Sequence, residues 1–99
     1  MTKKNYRYFW LGIILLLILL AAYIIVRKRM SKNYLQKGIM AIEQKEYADA
    51  IEQLNKAIRL NKNSAVAYLN LGKAFYYTDD YSAALNNLDL SLSNDSLLA

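Results

Sequence analysis

Residues 46–58 read EYADAIEQLNKAI. The pattern is helical, with Tyr47, Ile51, Leu54 and Ile58 recurring three or four places apart. Small residues interrupt it at Ala48, Ala50 and Ala57, and Ala50 and Ala57, seven apart, share one stripe of the helix. A solitary surface helix would bury larger side chains there. Small residues on a buried stripe imply that a second backbone comes close.

Sliding the chain against itself by 34 residues locates that backbone. Tyr34 then meets Tyr68, Leu35 meets Leu69, Gly38 meets Gly72 and Tyr47 meets Tyr81. Ala50 meets Ala84, Leu54 meets Leu88 and Ala65 meets Ala99, giving seven identities in 33 ungapped pairs. Each unit holds two helical stretches: Lys32 to Gln44 with Tyr47 to Leu60, then Ser64 to Tyr77 with Tyr81 to Ser93. Polar turns join the helices within a unit, and NKNS joins the units, with Asn63 or Ser64 as the N-cap of the third stretch.

A helix pair repeated in tandem must stack, since neither unit buries its apolar face alone. Gly38 is expected where the two axes of unit one cross, opposite Ala50 and Ala57, with Tyr47, Ile51, Leu54 and Ile58 filling the space around it. Unit two is expected to repeat this with Gly72, Ala84, Tyr81, Leu85, Leu88 and Leu92.

At these residues the chain resembles the tetratricopeptide repeat (TPR) family. Unit two carries that family's pattern as Tyr68, Leu71-Gly72, Phe75, Tyr81, Ala84 and Leu88, with Ser91 in place of the last Ala. Unit one carries it as Tyr34, Gly38, Tyr47, Ala50, Leu54 and Ala57. Departures are Lys37 where Leu is usual, Ala41 where a larger residue is usual, and Lys62 and Ser96 where Pro often ends a unit. The resemblance covers roughly residues 31–98, as units of about 31–64 and 65–98, and implies an all-α solenoid.

Ahead of the repeats, Phe9 to Val26 is an apolar run of 18 residues. As a helix it covers ~27 Å, close to the hydrocarbon thickness of a bilayer. Tyr6, Tyr8, Trp10 and Tyr23 stand near its edges, and basic residues bracket it. A cleaved signal peptide fits poorly, because cleavage after Ala22 leaves Leu20 where a small residue is wanted. The organisation expected is therefore a basic tail (1–8), a transmembrane helix in the lipid bilayer (9–26), a basic juxtamembrane segment (27–32) and the repeats (33–99). Arg27, Lys28, Arg29, Lys32 and Lys37 follow the span, against Lys3, Lys4 and Arg7 before it, which favours a cytosolic C-terminal domain. A short basic N-terminus that stays inside would reverse this.

The net charge of +5 belongs to the same region, since seven of the 13 basic residues and no acid lie in the first 32 positions. From Asn33 onward the balance is −2, so nucleic acid is not the expected partner. With no His and no Cys, disulfides and thiolate metal sites are excluded. Catalysis would need carboxylate pairs or lysines, and Glu43, Glu46, Asp79 and Asp80 fall at helix ends and turns, where solvated or capping acids are the default. Glu52 and Lys56 form a surface i, i+4 pair. No enzyme, metal or cofactor is expected.

What remains is a binding surface. The resemblance implies that the first helix of each unit lines a concave groove for peptides or helices. On this chain the groove set is Leu35, Ile39, Ile42 and Glu43 from unit one. From unit two it is Leu69, Asn70, Lys73, Tyr76 and Tyr77. Some relatives clamp a C-terminal carboxylate there; Asn70 is suitably placed, but Leu35 and Ile39 replace the polar residues needed. The groove suits an amphipathic helix or apolar peptide from another protein. Leu35, Ile39 and Leu69 have the alternative of packing between helices. Other readings are a structural subunit completing a partner's helical array and a receptor for amphipathic targeting helices. TPR arrays commonly end on a covering helix, whereas here SLLA directly follows unit two. Leu90, Leu97 and Leu98 are thus expected to lie uncovered, opening a route to self-association.

Overall fold

The computed structural model describes residues 3–95. Four helices form an elongated body, 68 × 27 × 18 Å: α1 (Lys3–Glu43), α2 (Tyr47–Leu60), α3 (Ala65–Tyr77) and α4 (Tyr81–Asp95). The fold is all-α. Packing follows the repeat, with α1 on α2 and α3 on α4 as hairpins and α2 against α3 joining them.

The largest departure from the sequence reading is at the start of unit one. In place of a helix beginning at Lys32, α1 runs unbroken from Lys3 to Glu43, through the apolar run and the basic segment. Nothing in RKRMSK stops a helix, since it holds neither Pro nor Gly. α1 is long and apolar enough to cross a membrane, and its most apolar stretch is not buried against the rest of the protein.

The turns within the two units share one geometry. Lys45 and Asp79, 34 residues apart, both have φ of +63°. Around each, two backbone bonds close the preceding helix: Lys45 N–H to Ile42 O with Glu46 N–H to Ala41 O, and Asp79 N–H to Tyr76 O with Asp80 N–H to Phe75 O. This is the Schellman arrangement, in which a left-handed residue satisfies the last carbonyls. Its usual Gly is absent, which hid the motif from a reading by residue type. Asp80 then caps α4, its carboxylate accepting from Ala83 N–H at 3.2 Å, and Ser64 caps α3 by accepting from Ala67 N–H at 3.2 Å.

The core is small: Ala41, Ala50, Leu54, Leu71 and Ala74, with Leu35, Ile42, Ile51, Ile58 and Phe75 packed around it. Gly38 and Gly72 sit at the two hairpin crossings. A Cβ on Gly38 would lie 2.6 Å from Leu54 Cγ, and one on Gly72 would lie 2.9 Å from Leu88 Cγ and 3.3 Å from Ala84 O. Ala50, Leu54, Ala57 and Ala84 are all buried. Ala48, by contrast, is exposed and allows no close approach.

Two serines add a reciprocal pair of bonds between hairpin partners. Ser31 Oγ donates to Ala57 O at 2.9 Å, from first helix to second. Ser91 Oγ donates to Ala65 O at 2.8 Å, from second helix to first. Ser31 is equivalent to Ala65 and Ser91 to Ala57, so each unit places one small hydroxyl at the same crossing, on opposite sides.

Leu85 and Leu92 require a correction. The repeat predicts that they fill the space around the hairpin crossing, as it does for Tyr81, but Leu85, Leu92 and Tyr81 are 63%, 67% and 59% exposed. The counterparts of the two leucines, Ile51 and Ile58, explain this, because those residues pack on the core that α3 completes for unit one. Among the described residues no helix stands in that place for α4. Leu88 alone of the three leucines turns inward, onto Gly72. Leu90 is 39% exposed; Ser96, Leu97 and Leu98 lie outside the described residues.

Candidate binding site

The distal edge of the domain, where α1 and α3 end, gathers four tyrosines. Tyr47 stacks on Tyr77 with ring centroids 5.2 Å apart, joining the start of α2 to the end of α3. Tyr77 meets Tyr76 edge-on at 5.7 Å, and Tyr76 meets Tyr81 at 5.6 Å. The row exists because the repeat puts Tyr47 and Tyr81 at the start of each second helix, while Tyr76-Tyr77 closes the first helix of unit two. Tyr81 donates its hydroxyl to Asp79 Oδ1 at 3.1 Å. That bond and the adjacent carboxylate charge hold its phenol above the ordinary tyrosine value.

Beside this row lies a hollow of about 300 Å³, lined by Ile42, Gly72, Lys73, Tyr76, Tyr77 and Leu88. It brings together Ile42, Lys73, Tyr76 and Tyr77 of the nine groove residues. Tyr76 is 59% exposed, with its ring held by two neighbours. Glu43, exposed, and Leu69, partly exposed, lie outside the hollow. Leu35 and Ile39 are half-buried, and Leu35 packs on the core.

Asn70 is the clearest difference from the expected groove. It is 8% exposed, and its amide donates to Val66 O at 2.8 Å, one turn back in its own helix. A side chain so engaged offers little to a ligand. The tyrosine row was not foreseen as a unit, although the period of 34 already aligned two of its members.

At the opposite edge, Tyr34 is half-buried between two cations, with Lys37 Nζ at 5.5 Å and Lys56 Nζ at 5.7 Å from its ring centre. Tyr68, its counterpart, donates to Lys62 O at 3.1 Å and so steadies the loop between the units. Lys56 also pairs with Glu52 at 3.4 Å. Among the described residues there is no group of His, Cys, Asp or Glu able to hold a metal ion.

Two tandem hairpins of one length, crossing at a glycine and stacked through α2 and α3, define a short α-solenoid of helix-turn-helix repeats. Residues 40–79, from the end of α1 to the turn after α3, match the family model of a TPR repeat. Over those residues the chain is similar to a tetratricopeptide repeat, a kind of repeat that generally mediates protein–protein interaction. No curated protein matches the chain significantly.

Proposed function

We propose that this is a single-pass membrane protein that holds a two-unit TPR domain at the bilayer surface, where it binds an amphipathic helix or apolar peptide of another protein. The observation that supports the binding mode is the hollow beside the tyrosine row, an apolar and aromatic concavity with few polar groups. The same edge carries Glu43, Glu46, Asp79 and Asp80 against Lys45 and Lys73, all exposed, and this acidic excess favours an apolar face bordered by Lys or Arg. Affinity selection of a library of amphipathic helices on the full chain in detergent micelles tests this. Apolar-faced sequences with basic borders should be enriched, and Tyr76→Ser should weaken them at least tenfold. Binders indifferent to both Tyr76→Ser and Lys73→Glu would refute the site.

Phe9–Val26 is the proposed anchor, with the repeat domain in the cytosol because more cations follow the run than precede it. A reporter fused after residue 99 should be active only on the cytosolic side. Changing Arg29 and Lys32 to Gln should weaken that preference without touching the bonds of Arg27. Activity confined to the other side would reverse the orientation and leave the anchor standing.

A second reading, a structural subunit whose partner completes the solenoid, draws on the exposure of Leu85 and Leu92. A lasting, stoichiometric partner lost on Leu92→Lys would favour it over transient capture at the tyrosine row.

A further inference from the structure

Arg27 follows directly on the last residue of the apolar run, and it does more than end it. Its Nε donates to Leu60 O at 3.0 Å and its Nη2 to Arg59 O at 3.0 Å, while Nη1 donates to Tyr23 Oη at 3.1 Å. The C-terminus of α2 is thereby tied to the level of α1 where the run stops. Since α1 does not bend away there, the corner between α2 and α3, residues 59–64, must lie at that level too.

The residues at this level share one sign of charge. Lys28, Arg29 and Lys32 lie within ~9 Å of Val26 along the helix axis. Arg59 and Lys62 come from the corner itself, and all five are exposed. The one ion pair among the described residues is that of Lys56 with Glu52, so no acid neutralises any of the five. Between α1 and the corner opens a hollow of about 330 Å³, lined by Met30, Tyr34, Lys56, Arg59 and Leu60, where Arg59 is free of acids and Lys56 is shared with Glu52 over an apolar and aromatic floor. Half of the eight acids lie at the other edge, where Glu43 and Glu46, Asp79 and Asp80 flank the two distal turns. The end of α4 carries Asp95 and no cation, which confines the basic surface to the α1–α2 side.

We propose that this corner is a second membrane contact: Arg59 and Lys62, with the cations of α1, rest on the headgroups of anionic lipids, and the hollow beside Arg59 takes a lipid phosphate. Charges held this close to a surface act within a Debye length of it. The domain would then stand on the leaflet with its basic edge down and its tyrosine row facing away. The proposal rests on the reading of Phe9–Val26 as a bilayer span, and the experiment separates the two.

The chain has no Cys, so single cysteines introduce unique labelling sites. The full chain bearing an environment-sensitive fluorophore at Leu17→Cys, Asn63→Cys or Glu46→Cys is reconstituted into vesicles of phosphatidylcholine, with or without about a third phosphatidylglycerol. Quenching by headgroup-labelled or acyl-chain-labelled lipid is then read. Leu17 should report the bilayer interior in both compositions, and Glu46 should report water in both. Asn63 should be quenched from the headgroups several-fold more strongly with phosphatidylglycerol, and Arg59→Gln with Lys62→Gln should remove that gain while helicity stays unchanged. With Leu17 inserted, an Asn63 in water in both compositions overturns the contact and leaves the anchor intact. Equal quenching with and without phosphatidylglycerol, insensitive to Arg59→Gln, overturns recognition of anionic lipid. If Leu17 itself reports water, the anchor fails and the contact fails with it.

Discussion

The two glycines look alike in the sequence but are held against different neighbours. Adding a methyl group in a helix normally gains about 1 kcal/mol over Gly through backbone entropy. At Gly38 that methyl would meet Leu54, which is fully buried. Overpacking of this kind costs about 1–3 kcal/mol, so the steric term should win. At Gly72 the opposing Leu88 is half-buried and borders the hollow, into which its end can turn. Gly38→Ala should therefore destabilise the domain by up to about 2 kcal/mol, and Gly72→Ala, whose methyl meets the more yielding Leu88 but also Ala84 O at 3.3 Å, by less. Urea unfolding of the full chain in micelles, followed by helicity, measures both, with exposed Asn86→Ala as control. Equal losses at the two sites would show that the hairpins are equally tight. The glycine positions could be read from the period; the difference between them could not, because it depends on how far unit two is covered.

The elements were legible wherever apolar spacing sets them. α2 has the bounds read from EYADAIEQLNKAI, and α3 and α4 differ from expectation by one residue at the start and two at the end. The reading was weakest where structure rests on single polar bonds or on backbone geometry. Lys45 and Asp79 adopt a left-handed conformation that the sequence flags only when Gly is present. Arg27 read as one of a topogenic cluster, yet it closes α2 across 33 residues of chain. A cation on the last carbonyls of a helix, bonded and partly buried, contributes about 1–2 kcal/mol. Arg27→Gln should lower the unfolding free energy by that amount, whereas its exposed neighbour Lys28→Gln should change it by less than about 0.5 kcal/mol. Matching losses at the two positions would mean that Arg27 acts through its charge alone. Fragments of the repeat domain that begin at residue 31 lose this bond and should unfold more easily than fragments that begin at 27.

At the scale of the molecule, the two ends of the short solenoid differ in kind. α1 presents Gln36, Lys37 and Met40 where unit two has Asn70, Leu71 and Ala74, so the first helix is polar along much of the stripe that docks α3 onto α2. α4 presents Leu85 and Leu92, both largely exposed. Stacking copies head to tail would bury Lys37 against leucines, at the cost of an unpaired charge. An isologous pair does not, and a two-fold axis along the membrane normal would leave both copies of α1 in one bilayer. Self-association should therefore run through α4 against α4. In micelles or nanodiscs holding two copies, Leu92→Cys should give symmetric thiol cross-links, and a mixture of Lys37→Cys with Leu92→Cys chains should give no 37–92 product. Leu85→Lys with Leu92→Lys should abolish association and keep the helical signal, because neither side chain supports its own hairpin. Leu90→Lys alone should do less, as that residue is more covered than either. A wild-type chain that stays monomeric when two copies share a nanodisc would refute the pair and leave the leucine edge to the helix of another protein.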